Sequence, residues 1–255
     1  MDIKGTSAGD LTGLNLIIQI VKKVYEREPH QLEKGALYLV PTPIGNLEDF
    51  TLRGLRILST VDWIAAEDTR HTGLMLHRLG IKKRLISTHQ HNEASRSTLL
   101  CDLLSNGSVG ALVTDAGTPG ISDPGQRIVK DLISNEIPAI ALPGACALTT
   151  ALSASGFCHQ EFFFTGFLPV KSGQRLRKMQ ELSGIKASLV FYESPHKMPR
   201  FLNEMKHIFP EKDVVIGREL TKKFEQIIRG KGKKVAEDFT EKKWKGELVV
   251  VINNE

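Results

Sequence analysis

Val113-Thr114-Asp115-Ala116-Gly117-Thr118-Pro119-Gly120-Ile121-Ser122-Asp123-Pro124-Gly125 is the stretch on which the fold turns. An apolar run, Gly110 to Val113, leads into it and reads as a buried strand ending just before Asp115. Glycines, prolines and a second aspartate crowd the positions that follow. Glycine opens backbone conformations closed to other residues, and proline fixes φ while removing a donor. The loop is therefore shaped and stiff, and it lies beyond a strand end, where open α/β sheets bind ligands. An ordinary β-to-α turn needs no such density of Gly, Pro and Asp.

Outward from this loop, strands and helices alternate. Leu37–Val40, Trp63–Ala66, Arg84–Ser87, Gly110–Thr114 and Pro138–Leu142 read as strands. Helical stretches are expected over 52–58, 72–79 and 93–104. Short apolar strands alternating with helices predict a mainly parallel sheet covered on both faces. After Pro143-Gly144 and a small-residue helix, 145–155, the character shifts. Phe162–Phe164, Ser188–Tyr192, Asp213–Gly217 and Glu247–Ile252 predict a mixed sheet with fewer helices. The expected organisation is an extension over 1–35, an N-terminal α/β domain over 36–146 and a C-terminal α/β domain over 147–255.

Composition is that of an ordinary globular protein, 41% hydrophobic and 25% charged. Cys101, Cys146 and Cys158 form no close pair, which suggests reduced thiols in a cytoplasmic protein. The nearest metal candidate, His89-Gln90-His91, has no further ligand at a known spacing and reads as a polar loop; no metal is expected. Leu14 to Val21 is far short of the roughly 20 residues that span a bilayer. Its flanking charges do not fit a secretory signal. Leu14, Ile17, Ile18, Val21 and Val24 instead share a face of an amphipathic helix, expected to dock on the body or a second copy, with a membrane surface as the rival.

The net charge of +5 is unevenly spread. Lys171 to Lys245 carries 19 Lys or Arg against 10 Asp or Glu, whereas Ala36 to Cys146 carries 10 against 11. Such asymmetry fits a polyanion met through one half of the molecule, and equally a solvated basic surface.

Five segments place polar or glycine-rich residues at strand ends: Pro41–Leu47, Glu67–Thr72, the Asp115 loop, Pro143–Cys146 and Tyr192–Lys197. The first-domain loops must share one edge of a parallel sheet. No Gly-x-Gly-x-x-Gly, Walker loop or Gly-x-Ser-x-Gly elbow occurs, so dinucleotide, nucleoside triphosphate and serine-hydrolase readings are unsupported.

In order, Val40-Pro-Thr-Pro-Ile-Gly-Asn-Leu47, Ala65-Ala-Glu-Asp-Thr-Arg-His-Thr72, Asp115 to Gly125, Gly166-Phe-Leu-Pro-Val-Lys171 and Phe191-Tyr-Glu-Ser-Pro-His196 resemble the ribosomal RNA small subunit methyltransferase I family of the tetrapyrrole methylase superfamily. The resemblance runs from about Leu37 to Val251. It implies S-adenosylmethionine-dependent 2′-O-methylation of a cytidine ribose in the decoding centre of 16S rRNA within the small ribosomal subunit. It also implies a homodimer and two α/β domains with the active site in the cleft between them. Pro43, Gly45, Asp115, Ala116, Gly117, Ile121, Ser122, Asp123, Pro143, Gly144 and Ala145 are the expected donor-binding positions. Ala145 stands where the family commonly has Pro, which leaves that turn looser. Members usually continue past the Lys-Gly-Glu strand into a helical segment, so RNA contacts made there are expected to be absent or replaced. The extension before Gly35 has no counterpart placed in the family.

Asp68, Glu67, Asp115 and Glu193 are candidate bases, each at a strand end, with helix capping or pairing to Arg70 or Lys197 as alternative roles. Arg70, His71, Lys171, Arg175, His196 and Lys197 are candidate RNA contacts, or else solvated charges. Two rival functions remain at this level: methylation of a small molecule of the tetrapyrrole or diphthamide type, and an inactive RNA-binding assembly module.

Overall fold

Trp63–Ala66 and Gly110–Val113 are buried at every position, as strands sandwiched between two helical layers must be. The computed structural model describes residues 8–27, 31–90, 92–157 and 160–255, with side chains of 8–14 and 27 left out. His91, Cys158 and the Leu14 side chain lie outside the described residues.

The first sheet contains β1 (Leu37–Leu39), β2 (Trp63–Ala66), β3 (Arg84–Ser87), β4 (Gly110–Val113) and β5 (Ala139–Ala141), ordered β3-β2-β4-β1-β5. All its pairings are parallel. Helix α1 (Ala8–Arg27) precedes β1; α2 (Leu52–Thr60), α3 (Thr69–Arg78), α4 (Glu93–Ser105) and α5 (Gln126–Ser134) connect the strands. The side-chain period of two divides the strands between two cores. Tyr38, Ile64 and Ala111 face Ile57, Leu58 and Leu76 of α2 and α3. Leu37, Trp63 and Leu112 face Leu100, Leu104, Ile128 and Leu132 of α4 and α5. Strand order reverses between β1 and β4, so the loops leaving these two neighbours flank the switch point of the sheet.

The second sheet, β6 (Phe162–Phe167), β7 (Ser188–Glu193), β8 (Asp213–Arg218), β9 (Gln226–Lys231) and β10 (Leu248–Asn253), is ordered β6-β7-β10-β8-β9. Only β6 and β7 run parallel; the other neighbours are antiparallel. One face packs on α7 (Ser172–Ser183), α8 (Met198–Ile208) and α9 (Gly232–Phe239). On the other face, Val190, Val215, Val249 and Val251 meet α6 (Ala147–Ser155) and Ile44 from the loop after β1. That shared core joins the two halves and puts the strand-end loops of the first sheet against the second.

Strand β9 was not foreseen. Among the described residues fewer helices do accompany the second sheet, α7 to α9 against α2 to α5 in the first. Helix α1 forms, but its apolar face is not packed on the body of its own chain: Ile17 and Ile18 are 58% and 44% exposed, and Val21, Val24 and Tyr25 border a groove against Leu32, Leu55 and Ile81. Among the described residues no helix is long and apolar enough to cross a membrane.

Candidate active site

Two backbone hydrogen bonds of 2.9 Å, Thr42 N to Gly117 O and Gly117 N to Thr42 O, tie the loop after β1 to the loop after β4. The Thr42 hydroxyl donates to Thr114 O at 3.1 Å, and the Thr118 hydroxyl donates to Ala145 O at 3.0 Å. Glu93 closes the far end of the Asp115 loop, accepting from Gly125 N, Arg127 N and Ile128 N at the start of α5. A carboxylate there satisfies donors that the first helical turn leaves open. Gly117 has φ +86, a left-handed conformation that explains the glycine. Ser122, with φ 63, adopts a comparable conformation without being glycine, a sign of local strain at a site.

These loops and the second sheet enclose a cleft of about 340 Å³. Asp115, Ala116, Gly117, Ile121, Ser122 and Asp123 line it, as expected of a donor loop. Glu67 and Glu193 line it as well. Pro43, Gly45, Pro143, Gly144 and Ala145 do not; their neighbours Ile44, Cys146 and Ala147 do. Gly45 serves the contact between the halves: a Cβ there would stand 2.3 Å from Lys222 Cγ and 3.1 Å from Leu220 O.

The cleft is acidic. Burial, reinforced by Glu67, Asp115 and Glu247, pushes the Asp123 carboxyl up to about 7. Burial and the charge of Asp115 raise Glu67 above the usual carboxylate range. Glu193 is raised by burial, against a hydrogen bond that its carboxylate accepts from Ser194 N at 2.8 Å. Carboxylates crowded in this way favour a cation in their midst.

Asp68 stands apart. Its carboxylate accepts from Arg70 N at 2.8 Å, capping α3, and pairs with the Arg70 guanidinium at 2.7 Å. That hydrogen bond to Arg70 holds it well below the usual carboxylate range. It therefore makes a poor proton acceptor, and it does not line the cleft. The capping alternative describes it better than catalysis.

Of the candidate RNA contacts, Arg70, His71, Lys171 and His196 are exposed and Lys197 is half-buried. Arg175 is corrected outright. It is 1% exposed and makes a two-pronged pair with Glu204, 2.6 and 2.9 Å, under α7 and α8. An arginine spaced as a core residue on α7 cannot touch a phosphate outside. Among the described residues no group of three or more His, Cys, Asp or Glu is arranged to hold a metal.

Of the cleft residues, Gly217, Leu220, Gly246 and Glu247 were not anticipated, while Phe167 and Tyr192 lie in the family motifs without having been assigned a role. Tyr192 OH accepts from Leu148 N at 3.1 Å, tying α6 to the second sheet, and its ring meets Phe164 and Phe167 edge-on at 4.9 and 5.9 Å. The glycines at the ends of Asp213–Gly217 and in Lys245-Gly246-Glu247 were the available signal. Antiparallel pairing then brings the start of β10 beside the end of β7, with Leu248 opposite Glu193.

The model of the Tetrapyrrole (Corrin/Porphyrin) Methylases family matches residues 36–236. A Ribosomal RNA small subunit methyltransferase I from Vibrio cholerae is 45% identical over 223 residues, 85% of this chain and 76% of that one. The protein of the same name from Bacillus subtilis is 43% identical over 226 residues, 88% of this chain and 77% of that one. Among solved structures, uroporphyrin-III-C-methyltransferase from Thermus thermophilus superposes with a TM-score of 0.62 at 22% identity, covering 86% of this chain and 95% of that chain. A diphthine synthase gives a TM-score of 0.66 at 15% identity, covering 85% and 89%. At such identities the likeness is one of fold. The chain belongs to the tetrapyrrole methylases and, within them, to the ribosomal RNA small subunit methyltransferase I family.

Proposed function

We propose that this protein transfers a methyl group from S-adenosylmethionine to the ribose 2′-oxygen of a cytidine in the decoding centre of 16S rRNA, acting on the small ribosomal subunit. The observation that carries the reading is an acidic cleft between strand-end loops in a chain whose relatives are named rRNA methyltransferases. A Thermus thermophilus relative of the same fold, TM-score 0.60, was solved with S-adenyl homocysteine. The group fits here on chemical grounds: Glu67, Asp115, Asp123 and Glu247 surround the cleft with negative charge, suited to a sulfonium, and the Gly117 backbone can approach a ligand closely.

When bound, the donor supplies a methyl already activated by its positive sulfur. The protein must hold the ribose oxygen in line and remove its proton. Alignment is worth roughly 7–11 kcal/mol, whereas a placed base contributes about 10²–10⁴-fold. Positioning by the rigid Asp115 loop therefore dominates. Asp123, Glu67 and Glu193 are the base candidates, because each is raised above its ordinary value and each lines the cleft. Exposed Lys171, Arg70, His71 and His196 and half-buried Lys197 are assigned to phosphates around the target. A homodimer would double the basic surface offered to one particle.

The test is incubation of the protein with labelled donor and undermethylated small subunits, followed by mapping of the label. Label on a cytidine ribose supports the proposal. Transfer to a small tetrapyrrole instead, or donor binding with no transfer to rRNA, refutes it.

A further inference from the structure

The hairpin between β8 and β9 holds an unusual arrangement. Glu219 and Thr221, neither of them glycine, have φ values of 52 and 66. Conformations of this kind persist only where surroundings over-determine them. Lys222 Nζ donates to Glu219 Oε1 at 3.0 Å and to Glu247 Oε2 at 2.8 Å. Glu219 N donates to Glu247 O at 2.9 Å, and Glu247 N donates to Glu219 Oε1 at 3.0 Å. Arg218 adds donations to Lys245 O at 2.9 Å and Phe224 O at 3.3 Å. The loop is thus clamped onto the segment that brings Glu247 into the cleft.

This clamp displays Phe224 at 66% exposure, with Lys223 Nζ 5.7 Å from its ring centre. A single exposed apolar side chain is ordinary on a protein surface. Here the ring sits on a strained, pinned loop whose Leu220 lines the cleft together with Gly217 near the end of β8. Phe224 itself does not line the cleft; it lies four residues beyond Leu220, which does. Lys223 is exposed beside it, and Arg218 donates to both Phe224 O and Lys245 O, so cations outnumber the one adjacent carboxylate, Glu225. An exposed aromatic among cations beside a reaction cleft has the chemistry of a nucleic-acid contact, stacking for bases and charge for phosphates.

We propose that the β8–β9 loop is an RNA-docking element of this cleft, in which Phe224 stacks on a base neighbouring the target nucleotide and Lys223 meets an adjacent phosphate. The inference rests on the rRNA reading above and adds a contact to it. The ion pairs of Lys222 with Glu219 inside the loop and with Glu247 outside it keep the loop rigid before RNA arrives, so little ordering entropy remains to be lost on binding.

Phe224→Ala, Phe224→Trp and Lys223→Glu test it in the intact chain. The readouts are KM and kcat for methyl transfer to small subunits, donor Kd by calorimetry, and circular dichroism for folding. Phe224→Ala should raise KM for subunits roughly 5- to 150-fold, the range of one lost stack, while donor Kd stays unchanged. Phe224→Trp should restore most of the loss, and Lys223→Glu should raise KM and flatten its salt dependence. Wild-type KM in folded Phe224→Ala overturns the proposal. So does a matching loss of donor affinity, which would make the ring a support of the cleft. If the unaltered protein leaves subunits unmethylated, it is the rRNA reading that falls, and the loop's role with it.

Discussion

Thr42 and Gly117 exchange two backbone hydrogen bonds of 2.9 Å, making a one-residue bridge between loops that leave neighbouring parallel strands. Because the bridge engages both polar backbone groups of Gly117, that residue cannot shift away from its left-handed conformation without breaking it. Ile44, two residues beyond Thr42, then packs into the core shared by the two halves. The donor loop, the first strand and the second sheet are held as one unit.

Gly117→Val follows from that bridge. A branched residue at φ +86 is strained by on the order of 1–3 kcal/mol. Its Cβ, 3.5 Å from Ile44 Cγ2, makes only ordinary contact, so the cost lies in the backbone. Relieving that strain moves the loop out of its donor-binding conformation, so donor affinity should fall by up to about 5- to 150-fold, while the chain stays folded. Calorimetry finding unaltered donor affinity in a folded variant would show that this loop does not hold the donor.

Asp123 gives a pH dependence. Its folded-state carboxyl titrates at about 7, above its ordinary value of 3.8. The folded protein therefore holds the proton more tightly than the unfolded chain, and this group's contribution to stability declines as pH rises from the carboxylate range through 7. Asp123→Asn should raise Tm at alkaline pH and change it little in acid. Ionised Asp123 also favours a cationic donor, so donor affinity should increase across neutral pH and lose that slope in Asp123→Asn. A pH-independent donor Kd in the unaltered protein would remove Asp123 from the site.

Arg175 and Lys171, four residues apart, should behave in opposite ways. Arg175→Ala leaves the buried Glu204 with only the longer 3.3 Å contact to Arg200, a loss of up to about 3–5 kcal/mol in stability. Lys171→Glu should leave Tm nearly unchanged, weaken RNA binding and lower its salt slope by about 1. Denaturant unfolding and binding titrations at several salt concentrations separate the two; weaker RNA binding in Arg175→Ala at full stability would restore it as a contact.

The strands that were legible were those buried on both faces, such as Trp63–Ala66, whose apolar runs need no partner to be recognised. Strand β9 escaped because it is an edge strand in which Arg229 and Lys231 face solvent beside Ile228. Helix α7 was obscured because Arg175 occupies a core position that apolar periodicity assigns to a hydrophobe, with Met179 and Leu182 completing the buried face. The Asp115 loop could be read locally, since its glycines and prolines act on their own backbone. The opposite wall could not: Glu247 reaches the cleft through antiparallel pairing of β10 with β7 and β8, a relation between distant segments. Asp68 looked like its neighbour Glu67 until the structure showed one carboxylate bound to Arg70 and the other facing the cleft.

Methyl transfer compared across three substrates is the most direct measurement: assembled small subunits, naked 16S rRNA and a short decoding-site oligonucleotide. With only 6% aromatic residues, the chain has few surfaces for reading bases, so the target must be presented by RNA shape. The expected result is rapid labelling of one cytidine 2′-oxygen in assembled subunits, with much slower transfer to the other two. Comparable rates on all three, or label elsewhere than a ribose oxygen, would contradict it.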